Sequence, residues 1–69
     1  MTLGEMQLKL RKQRRDNNVG TFQTYGRVCV FYRVLDDLFE VTRLNGNWVG
    51  ASRDADEAAK MAFDVVSRG

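Results

Sequence analysis

The sequence predicts an α+β fold: a three-stranded antiparallel sheet with residues 21–25 as a candidate fourth strand, a C-terminal helix packed on one face, and a short basic N-terminal helix. Three observations predict it. Residues 54–67 repeat apolar side chains at helical spacing, residues 21–51 are rich in β-branched and aromatic residues, and residues 1–17 combine an apolar stripe with clustered positive charge. One domain, 1–69, is expected, because each separate domain usually needs about 100 residues or more.

The N-terminal helix is predicted from its cap and its periodicity. Thr2 and Glu5 have the spacing of a capping box. In this motif the Thr2 hydroxyl accepts the Glu5 backbone amide, and the Glu5 carboxylate accepts the Thr2 backbone amide. The apolar stripe consists of Leu3, Met6 and Leu10. The turn-forming residues that follow are Asp16, Asn17, Asn18 and Gly20. The helix is therefore expected to end near residue 15 or 16.

The sheet is predicted from three runs of strand-forming residues, 27–34, 38–44 and 47–51, separated by turns at 36–37 and 45–46. Two-residue turns would place Val34 opposite Phe39 and Arg43 opposite Trp48. The core face would then hold Val28, Val30, Tyr32, Val34, Phe39, Val41 and Trp48. The opposite, mixed face would hold Arg27, Cys29, Phe31, Arg33, Glu40, Thr42, Leu44, Asn47 and Val49. A three-residue loop at either turn would exchange the faces of the following strand.

The C-terminal helix is predicted to begin with a second capping box, formed by Asp54 and Glu57. Its apolar face is expected to consist of Ala55, Ala58, Ala59, Ala62, Phe63 and Val66. Small alanine side chains indicate that this helix lies close to the sheet, above Val30, Tyr32 and Val41.

The composition excludes several kinds of active site. With no histidine and with Cys29 as the single cysteine, the chain can form neither a Ser-His-Asp triad nor a Cys-His pair, and it lacks the ligands of structural zinc. Neither glycine-rich phosphate-binding motif occurs in the sequence. The acidic pairs occur where turns and helix caps need them. We therefore expect no enzyme activity, no catalytic or metal-binding residue, and no cofactor.

The cysteine count and hydropathy indicate a compartment. A small secreted domain would usually contain several paired cysteines. No segment approaches the ~20 apolar residues that a membrane-spanning helix needs. The expected location is the cytoplasm, without membrane association.

Positive charge is concentrated at the N-terminus. Residues 1–15 carry a net charge of +4, whereas the remaining residues carry −2. The candidate nucleic-acid contacts are Lys9, Arg11, Lys12, Arg14 and Arg15 in the helix, with Arg27 and Arg33 from the sheet beside them. The alternative is that the helical residues are only solvated and favour the negative C-terminal end of the helix.

Apolar residues on the mixed sheet face favour a protein interface. The candidates are Phe31, Leu44 and Val49. A protein partner or a homodimer would bury these residues, and a domain this small benefits from additional buried surface. Two hypotheses follow: an interaction or regulatory protein that acts through protein contact or self-association, and a nucleic-acid-binding accessory module.

The predicted order α-β-β-β-α resembles the double-stranded-RNA-binding domain. The resemblance is carried by the basic first helix, the three antiparallel strands, and an alanine-rich last helix entered from residues 49–52. That family opens its last helix with lysines that bind phosphates, whereas this chain has Asp54, Asp56 and Glu57 there. The resemblance therefore implies the fold and no RNA contact at this helix.

Residues 27–64 are also similar in pattern to the arm-binding domains of phage-type integrases, which bind DNA with the sheet. This second resemblance implies a DNA-facing surface made of Arg27, Arg33, Thr42 and Asn47.

Overall fold

A computed structural model describes residues 1–16 and 20–68 of the chain. The elements are α1 (Leu3–Arg15), β1 (Thr21–Tyr25), β2 (Val28–Arg33), β3 (Leu38–Arg43), β4 (Trp48–Ser52) and α2 (Ala55–Arg68). The strands form one antiparallel sheet in the order β1-β2-β3-β4. The α+β fold is confirmed, with residues 21–25 as a fourth strand. The predicted turn residues Asn17 and Asn18 lie outside the described residues.

Both helices cover the same face of the sheet, and they also contact each other. The buried core comprises Met6 and Leu10 from α1, Val28, Val30, Tyr32, Phe39 and Val41 from the sheet, and Ala55, Ala58, Ala59, Ala62 and Val65 from α2. The predicted core face of β2 and β3 is thus confirmed. Neither helix in the described ranges is long and apolar enough to cross a bilayer.

The capping box that begins α1 is present. The Thr2 hydroxyl accepts the Glu5 amide at 3.2 Å, and the Glu5 carboxylate accepts the Thr2 amide at 3.0 Å. These two bonds satisfy amides that would otherwise lack partners at the start of the helix. The Thr2 backbone amide, followed by the Thr2 side chain, lowers the pKa of the Glu5 carboxylate. The helix ends at Asp16, whose amide donates to the Lys12 carbonyl at 2.9 Å.

Gln13 attaches α1 to the sheet, a role that the sequence pattern did not indicate. Among residues 1–16 and 20–68 it is the one buried residue with an amide or charged side chain. Its Nε2 donates to the carbonyls of Thr21 and Val30 at 3.2 Å each, and its Oε1 accepts the Tyr25 hydroxyl at 3.3 Å. Because a buried amide is costly unless it is hydrogen-bonded, these contacts fix the position of α1 relative to β1 and β2.

The turn between β2 and β3 is longer than predicted. Arg33 pairs with Leu38, and the Asp37 amide donates to the Val34 carbonyl at 3.2 Å across a four-residue turn. The predicted pairing of Val34 with Phe39 is therefore wrong by two residues. Side chains alternate with a period of two along a strand, so this shift leaves every inward-facing residue of the two strands inward.

The loop between β3 and β4 is one residue longer than predicted, and this difference moves Trp48 to the other face of the sheet. The Arg43 amide donates to the Asn47 carbonyl at 2.8 Å, which closes a three-residue loop with Gly46 at φ +92°. Thr42 consequently lies opposite Trp48. The predicted inward position of Trp48, opposite Arg43, is wrong because paired residues share a face and Thr42 points away from the helices.

A β-bulge follows this loop and restores the predicted register. It lies between Val41 and Thr42 on β3, and Val41 pairs with Gly50. Val49 is the extra residue, and it packs against the core. This corrects the prediction that Val49 lies on the mixed face. A Cβ atom on Gly50 would lie 2.6 Å from the Met61 sulfur, so glycine permits the close approach of α2 to β4.

The α2 helix buries the four predicted alanines, but among its larger residues Val65 is buried in place of Phe63. The Asp54 carboxylate caps the helix by accepting the Asp56 amide at 2.9 Å. Phe63, predicted to be part of the apolar face, is only partly buried and lies outside the core, whereas Val65 is buried. The alanines thus lie where the pattern predicts, and the prediction errs only in including Phe63 and omitting Val65.

Enlarging the alanine face is expected to destabilise the fold. Ala58 is fully buried in the core, so Ala58→Leu should lower the free energy of unfolding by about 1 to 3 kcal/mol through overpacking. Lys60→Leu, on the exposed side of the same helix, is the matched control and should change it little. Denaturant unfolding measures both, and equal stabilities for the two variants would contradict this docking of α2.

The stability should depend on pH through the β2–β3 turn. The Tyr32 hydroxyl donates to the Asp37 carboxylate at 2.5 Å. This bond lowers the pKa of Asp37, whereas burial, followed by the same bond, raises the pKa of Tyr32. The stabilisation is therefore present at neutral pH, is lost as pH falls through the lowered carboxyl pKa, and is lost again as pH rises through the raised phenol pKa.

We expect Tyr32→Phe to lower the stability at neutral pH and to flatten its decline in acid. Asp37→Asn keeps an acceptor without the titrating charge, so it should flatten the acid decline while retaining part of the stability. Unfolding experiments across the acid range measure this. Acid profiles parallel to that of the wild type in both variants would show that the bond is not formed in solution.

Candidate interaction surface

The side of the sheet that faces away from both helices is uncovered, and we call it the open face. Residues directly opposite each other on paired strands share a face, so the pairing defines its members. The open face comprises Phe22, Thr24, Arg27, Cys29, Phe31, Arg33, Leu38, Glu40, Thr42, Leu44, Trp48 and Ala51. Arg27 and Leu44 lie at one end, where the Leu44 amide donates to the Arg27 carbonyl at 3.1 Å.

The open face exposes several large apolar side chains. Phe22 is 62% exposed and lies directly opposite Phe31, which is 37% exposed, while Leu44 and Trp48 are each 58% exposed. Leu35, in the adjoining β2–β3 turn, is fully exposed, and an open groove runs between this turn and the two phenylalanines. Clustered exposure of this kind is characteristic of interaction sites, whereas single exposed apolar residues are ordinary.

Two of the three residues predicted to form a protein interface lie on the same face of the sheet. Phe31 and Leu44 lie on the open face, but Val49 is turned toward the core. Phe22 and Trp48, which the sequence reasoning did not include, join Phe31 and Leu44. Residues 21–25 show no apolar alternation that marks Phe22, and its position next to Phe31 follows from the β1–β2 pairing.

Charge on the open face is unevenly distributed along the strands. At the end near the β2–β3 turn, the Arg33 guanidinium lies 3.0 Å from Glu40 and 3.1 Å from Asp36. The hydrogen bond with Glu40 and the nearby carboxylates raise the pKa of Arg33. Arg33 and Glu40 meet on a diagonal of the register, because Glu40 pairs with Phe31 and Arg33 with Leu38. Arg27, at the other end, has no ion pair within residues 1–16 and 20–68.

Cys29 lies near the centre of the open face. Its side chain is buried, and its sulfur is 3.8 Å from the Thr24 hydroxyl on the neighbouring strand. Phe31 follows two residues later on the same face. On this face the small Cys29 lies between two larger side chains, those of Arg27 and Phe31.

Two arginines of the predicted nucleic-acid contacts are used to dock α1. Arg11 donates two hydrogen bonds to the Asp56 carboxylate, at 2.6 and 2.7 Å. Arg14 donates to the Arg53 carbonyl at 3.0 Å and lies over the Phe39 ring, 5.4 Å from its centroid. These contacts join α1 to α2 and to the sheet, so neither guanidinium is a free phosphate ligand.

The remaining basic residues of α1 are only partly engaged. Lys12 lies 2.7 Å from Asp16 and Arg15 lies 3.4 Å from it. The hydrogen bond from Lys12, ahead of that from Arg15, lowers the pKa of Asp16. Lys9 forms no ion pair in the described part of the chain.

The seven candidate nucleic-acid contacts do not form one surface. α1 packs on the covered face of the sheet, whereas Arg27 and Arg33 belong to the open face. The expectation that the two sheet arginines lie beside the basic helix is therefore wrong.

No group of three or more metal-ligating side chains occurs among residues 1–16 and 20–68.

The observed order α-β-β-β-β-α, with its antiparallel sheet, is compatible with the resemblance to the double-stranded-RNA-binding domain. No family model, curated protein or solved structure matches this chain.

Proposed function

We propose that this chain is a small non-enzymatic interaction or regulatory protein whose open face binds another polypeptide. The observation that carries the proposal is the exposure of Phe22, Phe31, Leu44 and Trp48 together on the one sheet face that no helix covers. Removing apolar surface from water contributes about 25 cal/mol per Å². Covering this face would therefore stabilise a complex substantially.

The shape and composition of the open face favour a polypeptide ligand. The molecule measures 31 × 25 × 16 Å, so its broad faces suit an extended contact better than an enclosed small-molecule site. Aromatic residues are enriched at the centres of protein interfaces, where they contribute much of the binding energy. The Arg33–Glu40 pair lies beside this apolar area, and a polar margin of this kind is common in protein interfaces.

Nucleic-acid binding is a second candidate, favoured by the neighbouring rings of Phe22 and Phe31. Exposed aromatic rings on a sheet can stack on bases of single strands. Glu40 lies directly opposite Phe31 in the sheet, and its carboxylate would repel phosphates. Four of the seven candidate contacts, Arg11, Lys12, Arg15 and Arg33, already lie within ion-pair distance of Asp56, Asp16, Asp36 or Glu40. This candidate is therefore less well supported.

Salt dependence separates the two candidates. A nucleic-acid complex would weaken steeply with salt, with a log-log slope of about −0.9 per neutralised phosphate on duplex DNA and about −0.7 on single strands. We expect no saturable binding of duplex DNA, duplex RNA or single-stranded RNA at low salt. Fluorescence anisotropy of labelled oligonucleotides measures this, and a tight, salt-sensitive complex would reverse our preference.

Photo-crosslinking tests the proposed interaction surface. Benzoylphenylalanine is introduced at position 44 on the open face, or at position 8 on the outside of α1. Leu44 and Leu8 are similarly exposed, at 58% and 64%, so position 8 is a matched control. We expect discrete protein adducts from position 44 only, because only the open face is covered in a complex.

The adducts are identified by mass spectrometry after illumination of both variants in cells and as pure proteins. Adding Trp48→Gln to the position-44 variant should reduce its adducts, since this removes the largest exposed side chain near the crosslinker. The same adducts from positions 8 and 44, or no discrete adduct from position 44, would contradict the proposal.

A further inference from the structure

We infer that the outer edge of β1 binds an extended acidic segment of another protein, which adds to the sheet as a fifth strand. β1 is an edge strand, and no strand among the described residues pairs with its outer side. The backbone amides and carbonyls on such an edge can pair with another chain, a mode that several peptide-binding domains use. The inference goes beyond the proposed function, because it concerns the sheet edge rather than the open face.

The outward backbone groups of β1 belong to Phe22 and Thr24. A two-residue turn joins Tyr25 to Val28, and such a turn is closed by a hydrogen-bonded pair. Hydrogen-bonded and non-bonded pairs alternate along an antiparallel ladder, so every second residue counted back from Tyr25 bonds to β2. Phe22 and Thr24 lie between these residues, and each directs its amide and its carbonyl toward the outer edge.

β1 lacks the features that usually protect an edge strand. Natural edges are commonly protected by charged side chains, by proline or by a β-bulge. The strand contains neither a charged residue nor a proline, and it pairs with β2 without a register shift. β4, at the other edge of the sheet, is less regular because its pairing with β3 contains the bulge. β1 is therefore the better template for an additional strand.

α1 supplies positive charge beside this edge. A cleft of about 230 Å³ lies between α1 and β1, lined by Lys9, Lys12 and Asp16 from the helix and by Gln23 and Tyr25 from the strand. Lys12 lies 2.7 Å from Asp16, whereas Lys9 has no ion pair with any residue of 1–16 or 20–68. Two lysines against one carboxylate leave the cleft with a net positive charge.

The two faces of an added strand would meet different surroundings. Paired residues share a face of the sheet, so ligand residues opposite Phe22 and Thr24 would turn toward the open face, where the Phe22 side chain is 62% exposed. The ligand residues between them would turn toward the cleft, where a carboxylate would compensate the charge of Lys9. The segment that fits best therefore alternates acidic and apolar residues.

The strands of a second copy of this chain do not supply that pattern. Glu40 is the one carboxylate in the four strands, and its strand β3 lies in the interior of the sheet. Neither edge strand, β1 or β4, contains an acidic residue. The complementary charge must therefore come from a different polypeptide.

Binding of a synthetic peptide to the full chain tests the inference. The probe is a blocked peptide in which glutamate and valine alternate over the length of β1, titrated into isotope-labelled protein and followed by NMR. We expect saturable shifts and slower hydrogen exchange at the Phe22 and Thr24 amides, with a smaller change at the Gln23 amide, which already bonds to β2. N-methylation of the valines removes the donors that face β1 and should abolish binding.

Charge reversal tests the preference for an acidic segment. Lys9→Glu should weaken binding of the glutamate peptide about threefold or more and should favour the same peptide with lysine in place of glutamate. Lys60→Glu makes the same charge change on the exposed side of α2 and should alter both affinities little. Neither lysine forms an ion pair within the described ranges, and circular dichroism checks that both variants are folded.

The outcomes separate this inference from the proposed function. The absence of saturable binding by the glutamate peptide overturns the inference alone, because the position-44 adducts report on the open face. Binding that survives N-methylation is charge attraction without strand addition, and it also overturns the inference, as does equal affinity for the glutamate and lysine peptides. Peptide binding at β1 without discrete adducts from position 44 supports this inference and removes the proposed function.

Discussion

The structure depends on one constraint: both helices bury their apolar stripes against the same face of a sheet that has two faces. The α1 residues Met6 and Leu10 and the α2 alanines enter a single core with the inward side chains of β2 and β3. Strand residues alternate between faces, so every second residue is left on a side that no element of the described chain covers. The exposed aromatic residues are therefore a direct result of where the helices lie.

The elements themselves were largely predictable because their signals are local. Capping residues, helical periodicity and strand-forming composition act within a few positions, and the observed bounds differ from the predicted ones by at most two residues. The strand register was less predictable, since it is set by loop length. A four-residue turn in place of two preserved the faces, whereas one extra residue in the loop before β4 moved Trp48 from the predicted core to the open face.

The candidate site was only partly predictable for a related reason. Phe31 and Leu44 could be assigned from alternation alone, but Phe22 required knowledge that β1 pairs with β2. The function of the basic helix depends on contacts far apart in sequence. Arg11 pairs with Asp56 across 45 positions, and Arg14 reaches Arg53 across 39. A count of charges cannot distinguish arginines that hold two helices together from arginines that are available to bind a polyanion.

The bulge opposite Val41 has a consequence for how this surface could change in evolution. The bulge accommodates Val49 as an extra residue of β4, so Gly50 contacts Met61 while the Trp48 side chain faces outward. Loss of a single codon from the connection at 44–46 would remove the need for that irregularity and direct the indole inward. A change in chain length could thus take the Trp48 side chain off the open face while Phe22 and Phe31 stay on it.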